Sequence, residues 1–371
     1  MKEFLIYHMK PKQNLIGLSL VELEKFFISM DEKKFRAHQV FNWIHSKGVI
    51  DFSKMTNLSK NLVHKLEENS YIKTPKVVNT IKSNDGTVKY LLKLDEEAFI
   101  EMVTIPEKKR ITLCVSSQAG CALQCSFCAT GYHGFKRNLD SSEIISQLWI
   151  ANFSNPEGRL ISNVVFMGMG EPLLNTNNVL NSISVMQDQK GYALSRKRIT
   201  LSTSGVVPAL KTIAKKTNVA LAISLHAPSD DLRDELVPIN QKYPIESLIN
   251  AAKYYLSKQN KKDTVTIEYI LIKNKNDSLI HAKKLAKILS ELKCKINLIP
   301  FNSFTGSNLE QSSQKSIDDF KNFLISKSFI TTVRRTRGDE VDGACGQLVG
   351  ALLNPKKGKR RHKNSINLQT I

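Results

Sequence analysis

From Ile111 onwards the sequence alternates between short runs rich in β-branched residues and longer stretches whose apolar positions fall three and four apart. ITLCVSS, NVVFMGM, KRITLSTS, NVALAISL, TVTIEYILI and CKINLIP are the strand candidates. Among the intervening and following stretches, SSEIISQLWIANF, HAKKLAKILSEL and QKSIDDFKNFLISK read as helices. Strands joined through a helix run the same way, so six such units predict an α/β fold built on a parallel sheet with helical crossovers. Either a doubly wound sheet or a barrel-like closure satisfies the pattern.

The chain before Ile111 is of a different kind. LSLVELEKFFISM, KKFRAHQVFNWIHSKG and NLSKNLVHKLEENS predict three short helices. VVNTIKSNDGTVKYLLKL then predicts a hairpin turning at Asn84-Asp85-Gly86. The expected organisation is a helical domain over 1–72, a hairpin or linker over 73–110, a catalytic domain over 111–350 and a basic tail over 351–371.

Charge narrows the class of partner. The 371 residues carry a formal net charge of +20, which favours a polyanion, nucleic acid before an acidic membrane surface. Residues 1–100 are close to balanced, with 16 basic and 12 acidic side chains, so most of the surplus falls further along. Lys356, Lys357, Lys359, Arg360, Arg361 and Lys363 crowd the tail. No apolar run is long enough to span a bilayer and the opening stretch has no cleavable signal pattern, so a cytoplasmic, soluble protein with no membrane partner is expected.

Four of the six cysteines, Cys114, Cys121, Cys125 and Cys128, fall within fifteen positions. That clustering points to metal or redox chemistry rather than to a disulfide scaffold. Cys121, Cys125 and Cys128 form CxxxCxxC on one short segment. An iron-sulfur cluster normally takes four Cys ligands, and the segment supplies three. Zinc is the alternative, with His133 as the fourth ligand.

In a parallel barrel the chemistry gathers where the strands end. After the second candidate strand stands Gly168-Met169-Gly170-Glu171-Pro172, after the third Ser202, after the fourth Ser224-Leu225-His226, and after the sixth Asn302. Each has an ordinary reading as a turn or a helix cap. As a series they line one rim.

With Phe127 before the third cysteine and Gly-Met-Gly-Glu-Pro after the next strand, the chain resembles the radical S-adenosylmethionine superfamily. LCVSSQAGC, FMGMGEPLLN, LSTSGVVP, ISLHAP, VPIN and RRTRGDEVDGACGQL, in that order, resemble more closely the RNA adenosine methyltransferases of the RlmN/Cfr family. The resemblance implies a partial barrel of six strand-helix units preceded by a small helical accessory domain that helps hold RNA. It implies that Cys121, Cys125 and Cys128 bind a 4Fe-4S cluster whose fourth iron is left for S-adenosylmethionine, used twice per turnover. Gly170, Glu171, Ser202, Ser224, Leu225, His226 and Asn302 would line the cofactor site.

The same resemblance implies that Cys345 is methylated and carries the methyl carbon to an adenine ring, that Glu101 accepts a proton, and that Cys114 attacks Cys345 to release product and leave a disulfide. The implied partners are 23S ribosomal RNA, transfer RNA and a low-potential electron donor of flavodoxin or ferredoxin type, acting on a monomer. Gly-Met-Gly-Glu-Pro and Arg335-Thr-Arg337-Gly338-Asp339 resemble the members directed to C2 of adenine; methylation at C8 is the alternative. Gly343, Glu340 and Val341 depart from the family's pattern without removing a chemical group. Cys294 has no matching role and is expected in the core.

Overall fold

A computed structural model describes residues 11–154 and 160–350. The expected basic tail lies outside the described residues.

Three helices form first along the chain: α1 (Leu20–Ile28), α2 (Lys34–His45) and α3 (Lys60–Asn69). Ser19 and Glu22 close a reciprocal cap on α1, and α2 buries Ala37, Val40, Phe41 and Ile44 on one stripe. The two-residue strands β1 (Gln13–Asn14) and β2 (Ser70–Tyr71) pair in parallel and tie the ends of this unit together.

Next come β3 (Lys76–Lys82), β4 (Val88–Lys93), β5 (Phe99–Glu107) and β6 (Arg110–Cys114), where β4, β5 and β6 each pair antiparallel with the strand before. The hairpin turn is where the sequence put it, with Gly86 at φ +82°. Within the stretch 73–110, expected as a hairpin or linker leading into the barrel, β3, β4 and β5 continue the main sheet. β5 occupies the flank of β6, which would otherwise be an open edge of unpaired backbone groups.

Beyond β6 the chain makes a small hairpin from β7 (Gln118–Gly120) and β8 (Phe135–Asn138), enclosing α4 (Ala129–Tyr132). After α5 (Ser141–Phe153) come β9 (Asn163–Phe166), α6 (Thr176–Gln187), β10 (Ile199–Thr203), α7 (Val207–Ile213) and β11 (Ala220–Ser224). Then follow α8 (Asp230–Leu236), α9 (Ile245–Ser257), β12 (Val265–Leu271), α10 (Leu279–Ile288), β13 (Cys294–Pro300), α11 (Gln314–Ser326) and β14 (Thr331–Val333). The sheet runs β14-β13-β12-β11-β10-β9-β6-β5-β4-β3, with every pairing from β6 to β14 parallel. It ends on β14 at one side and β3 at the other, so the six expected strand-helix units form an open, partial barrel with β14 added.

Helices cover the outer face, and the strands are accordingly apolar: Leu201, Ile223, Ile267 and Leu298 are buried completely or nearly so. The N-terminal unit packs on this shell through α5. Trp149 Nε1 donates to the carbonyl of Ile44 at 3.1 Å, and Asn181 donates to the carbonyl of Gly17 at 2.8 Å. Among the described residues no helix is long and apolar enough to cross a membrane.

Candidate active site

The cysteine loop is shaped by its hairpin. Gly120, at φ +79°, lets the backbone come so close to Gly134 that a Cβ would overlap its carbonyl oxygen at 1.9 Å. Cys121 N–H donates to that carbonyl at 3.0 Å. The loop thus returns on itself and brings Cys121, Cys125 and Cys128 onto one wall of an inner cavity of about 140 Å³. Gly170, Glu171, Ser202, Ser224 and His226 line the same cavity.

Burial and the neighbouring Cys128 push the Cys121 thiol up to about 12, and Cys125 is pushed well up by burial with Cys121 and Cys128 beside it. Three thiols gathered on one buried wall, two of them resisting ionisation on their own, are a donor set that suits an iron-sulfur cluster, whose irons supply the compensating charge. Among the described residues no group of three His, Cys, Asp or Glu side chains converges as a single metal ion requires. A four-iron cube spreads its ligands more widely than one ion does. His133 lines neither the inner cavity nor the outer one described below, so the geometry does not assemble the zinc alternative.

Gly170 is at φ +97°, and a Cβ there would meet the Gln118 backbone nitrogen at 2.8 Å. Gln118 Oε1 accepts from the Glu171 N–H at 2.9 Å. The Glu171 carboxylate is buried, and its oxygens accept from Leu173 N–H (3.0 Å) and Ser204 N–H (2.8 Å). Burial raises its pKa against those bonds. His226 sits at φ +61°, with Nδ1 assigned as acceptor from Ile270 N–H at 3.1 Å. Burial holds it neutral, with its pKa pushed down to about 3. Its ring meets Phe127 edge-on at 4.6 Å.

Two expected members of the rim stand elsewhere. Leu225 is buried without lining the inner cavity, and its carbonyl accepts from Arg233 Nε at 3.0 Å. Asn302 faces the outer cavity, where its Nδ2 donates to the Cys345 carbonyl at 3.1 Å. Sequence reasoning missed Arg233, a fully buried cation whose Nη2 donates to the Ser204 (2.6 Å) and Ser224 (3.2 Å) carbonyls, fixing the ends of β10 and β11. In DDLRDEL it has the look of a solvated helix residue, and no sequence signal separates it from one.

The outer cavity, of about 1120 Å³, is the inside of the partial barrel. Cys114 and Cys345 both line it, and Cys345 also borders the inner one. The Cys345 loop is fastened to the cysteine loop: Ala129 N–H donates to the Gly346 carbonyl at 2.7 Å, and Thr130 Oγ1 donates to the Leu348 carbonyl at 2.7 Å. All six cysteines are free thiols. Burial, with Cys345 nearby, pushes Cys114 up to about 12. Cys345 is raised by burial, and the Arg334 guanidinium, which hydrogen-bonds it, opposes that rise. Arg334 is a second residue that the sequence did not single out. Cys294 is half-buried at the start of β13, packed against the core as expected.

Glu101 is buried but lines neither cavity. Its Oε1 pairs with Lys89 Nζ at 3.2 Å, and its Oε2 accepts from the N–H groups of Val349 (2.7 Å) and Gly350 (3.3 Å).

A thiol triad on a loop after the first parallel strand of a partial barrel, facing a glycine-rich turn after the second, defines a radical S-adenosylmethionine enzyme. The comparisons agree: the model of the radical SAM superfamily matches residues 115–286, and that of the ribosomal RNA large subunit methyltransferase N-terminal domain matches 13–72. The chain is 51% identical over 364 residues to the dual-specificity RNA methyltransferase RlmN of Francisella tularensis subsp. novicida (strain U112), covering 96% of this chain and 98% of that one. With its counterpart of the same name from Marinobacter nauticus it shares 48% over 355 residues, covering 95% and 96%. The crystal structure of a radical SAM methyltransferase from Sphaerobacter thermophilus superposes with a TM-score of 0.86 at 38% identity, covering 91% of this chain and all of that one. The chain belongs to the RlmN family. Its cofactors are accordingly a 4Fe-4S cluster and S-adenosylmethionine, and the inner cavity has the donors for them.

Proposed function

We propose that the protein methylates C2 of adenosine in 23S ribosomal RNA, at the peptidyl transferase centre, and in transfer RNA beside the anticodon at position 37. The observation that carries this reading is the placing of Cys114 and Cys345 on one large cavity at the inner cavity's border. When bound, the cluster and S-adenosylmethionine supply a methyl group and then the radical that activates it.

The protein's own part follows from the chemistry of the target. C2 of adenine lies between two ring nitrogens and is electron-poor, so it does not attack a methyl donor directly. Cys345 therefore takes the methyl group on sulfur, and its activated carbon bonds to C2. The resulting covalent adduct would give up one electron to the bound cofactors and its C2 proton to Glu101, and it breaks when the Cys114 thiolate attacks the Cys345 sulfur: the S–S bond forms as the C–S pair passes to the methylene carbon, which takes a proton to become the methyl group, and an external reductant returns the disulfide to two thiols. Arg334, within electrostatic reach of both thiols, favours the thiolate on either. Glu101 is the proton acceptor in this scheme. Lys89 and two backbone N–H groups hold its carboxylate, and the loop over 342–350 must shift before it reaches substrate.

Lys108, Lys109, Arg110, Arg198 and Lys295 border the outer cavity and supply contacts for an RNA backbone. The target base must be unstacked to enter, which favours a loop. A flavodoxin- or ferredoxin-type donor is the proposed electron source, the 13–72 unit the proposed RNA-holding domain, and a cytoplasmic monomer the proposed working form.

Mass spectrometry of ribosomal and transfer RNA from cells with and without the protein tests the reading. Loss of 2-methyladenosine from both RNAs is expected on deletion. Unchanged 2-methyladenosine, or loss of a C8-methylated nucleoside instead, overturns the C2 assignment.

A further inference from the structure

The two cavities meet at Met167, Glu268, Ile299, Arg334 and Cys345, each of which lines both. Glu268 is the acidic side chain of that neck. It stands opposite Asn297 in the β12–β13 register, and Asn297 stands opposite Thr332 in β13–β14. Three polar side chains on consecutive strands thus face the barrel interior at one level. Asn297 Nδ2 donates to Glu268 Oε2 at 2.8 Å, and Thr332 Oγ1 donates to Asn297 Oδ1 at 3.1 Å.

This row leaves specific capacity unused. Among the described residues Glu268 Oε1 has no hydrogen-bond donor, and no cation lies within 4.0 Å of the carboxylate. Glu107, the other acid on the cavity wall, is engaged by Arg110. One Nδ2 hydrogen of Asn297 is likewise not used by the protein. A buried carboxylate facing open space, with an amide donor fixed beside it, presents acceptor next to donor.

We infer that Glu268 and Asn297 read the amine-bearing edge of the target adenine, selecting it from other purines. The inference rests on the RNA adenine reading above. Adenine offers an exocyclic amine beside a ring-nitrogen acceptor, the complement of this pair; Glu268 Oε1 accepts from the amine and Asn297 Nδ2 donates to the ring nitrogen. Guanine puts a carbonyl oxygen where the amine would be, against the carboxylate, and is rejected by repulsion as well as by a missing bond. The location divides the labour of recognition. Cations border the outer cavity where a backbone runs, and the acid stands at the neck beside Cys345, where the base must arrive.

The test uses the reconstituted holoenzyme and RNA hairpins carrying adenosine or purine riboside, which lacks only the amine, at the target position. Product is located by mass spectrometry and kcat/KM is measured for each. Wild-type enzyme should favour adenosine by at least about tenfold. Glu268→Ala should lower kcat/KM for adenosine while leaving purine riboside nearly unchanged, so that the preference collapses; Asn297→Ala, which removes the donor to a ring nitrogen that both RNAs carry, should lower both. RNA-independent reductive cleavage of S-adenosylmethionine reports that the variants are folded and loaded. Should Glu268→Ala lose that activity, the nearly isosteric Glu268→Gln takes its place. Equal losses on both RNAs would assign Glu268 a structural role and overturn the inference, as would a wild-type enzyme indifferent to the amine. A wild-type enzyme that methylates neither hairpin, yet cleaves S-adenosylmethionine, counts instead against the RNA methyltransferase reading.

Discussion

Lys89 Nζ and Glu101 Oε1 lie 3.2 Å apart with both side chains almost entirely out of water. Lys89 also donates to the Asp342 carbonyl at 3.3 Å, so one interior ion pair joins the antiparallel strands to the loop that carries Cys345. Removing one partner leaves the other charge buried. Lys89→Met and Glu101→Gln are each expected to cost roughly 3–5 kcal/mol of stability, read from the midpoint of urea unfolding. A change below about 1 kcal/mol in both would contradict the pairing.

Gly170→Ala places a Cβ against backbone at a φ of +97°. Backbone strain of this kind costs of order 1–3 kcal/mol, and the turn must move away from the inner cavity to relieve it. S-adenosylmethionine affinity should fall at least about tenfold, measured by calorimetry on cluster-loaded protein. Undiminished affinity would show that the turn does not touch the cofactor.

Cys345→Ala should abolish methyl transfer to RNA while cluster content and reductive cleavage of S-adenosylmethionine persist. Full methylation by this variant would sink the covalent route. Cys114→Ala should instead trap protein bound to RNA, seen as a retarded band in a denaturing gel; a variant that turns over without a trapped species would remove Cys114 from the reaction.

His45 is buried where α2 meets the barrel shell, with Nδ1 3.2 Å from the Tyr192 hydroxyl. Burial pushes its pKa down to about 3. An unfolded chain binds a proton there below its ordinary value of about 6.5, and the folded one does not. The stability associated with neutral His45 is thus fully present above that value and is lost as pH falls from about 6.5 towards 3, at up to about 1.4 kcal/mol per pH unit. His45→Phe should flatten this part of the stability-pH profile obtained from urea unfolding between pH 7.5 and 5. An unchanged slope would place the dependence on other groups.

The sequence's strand and helix candidates correspond to real elements because periodicity and turn chemistry are local. ITLCVSS, NVALAISL and SSEIISQLWIANF coincide with β6, β11 and α5. β14 has three residues, too few for a period to show, and forms because the side of β13 facing away from β12 is open to it. The cysteine triad, Gly170, Ser202, Ser224 and His226 reach one cavity as their motif spacing suggests. Gln118, Arg334 and Glu268 were not legible, since each acquires its place from partners tens or hundreds of residues away; Arg233 has partners within ten positions, yet its pattern is that of a solvated helix residue and its burial comes from the packing of α8 against the strand ends. Asn302 shows the converse: its position after a strand was right, but its amide is committed to the Cys345 backbone.

Glu340 accepts from Ser83 and Asn84, and Asp85 accepts from Gly338 N–H, so the loop after β14 is stitched to the tip of the first hairpin across more than 250 positions. Closing contacts of such span costs the entropy of the intervening chain. The loop that brings Cys345 to the cavity it shares with Cys114 is thus held from the opposite end of the described fold, so the placing of the two thiols depends on the first hairpin as much as on the barrel.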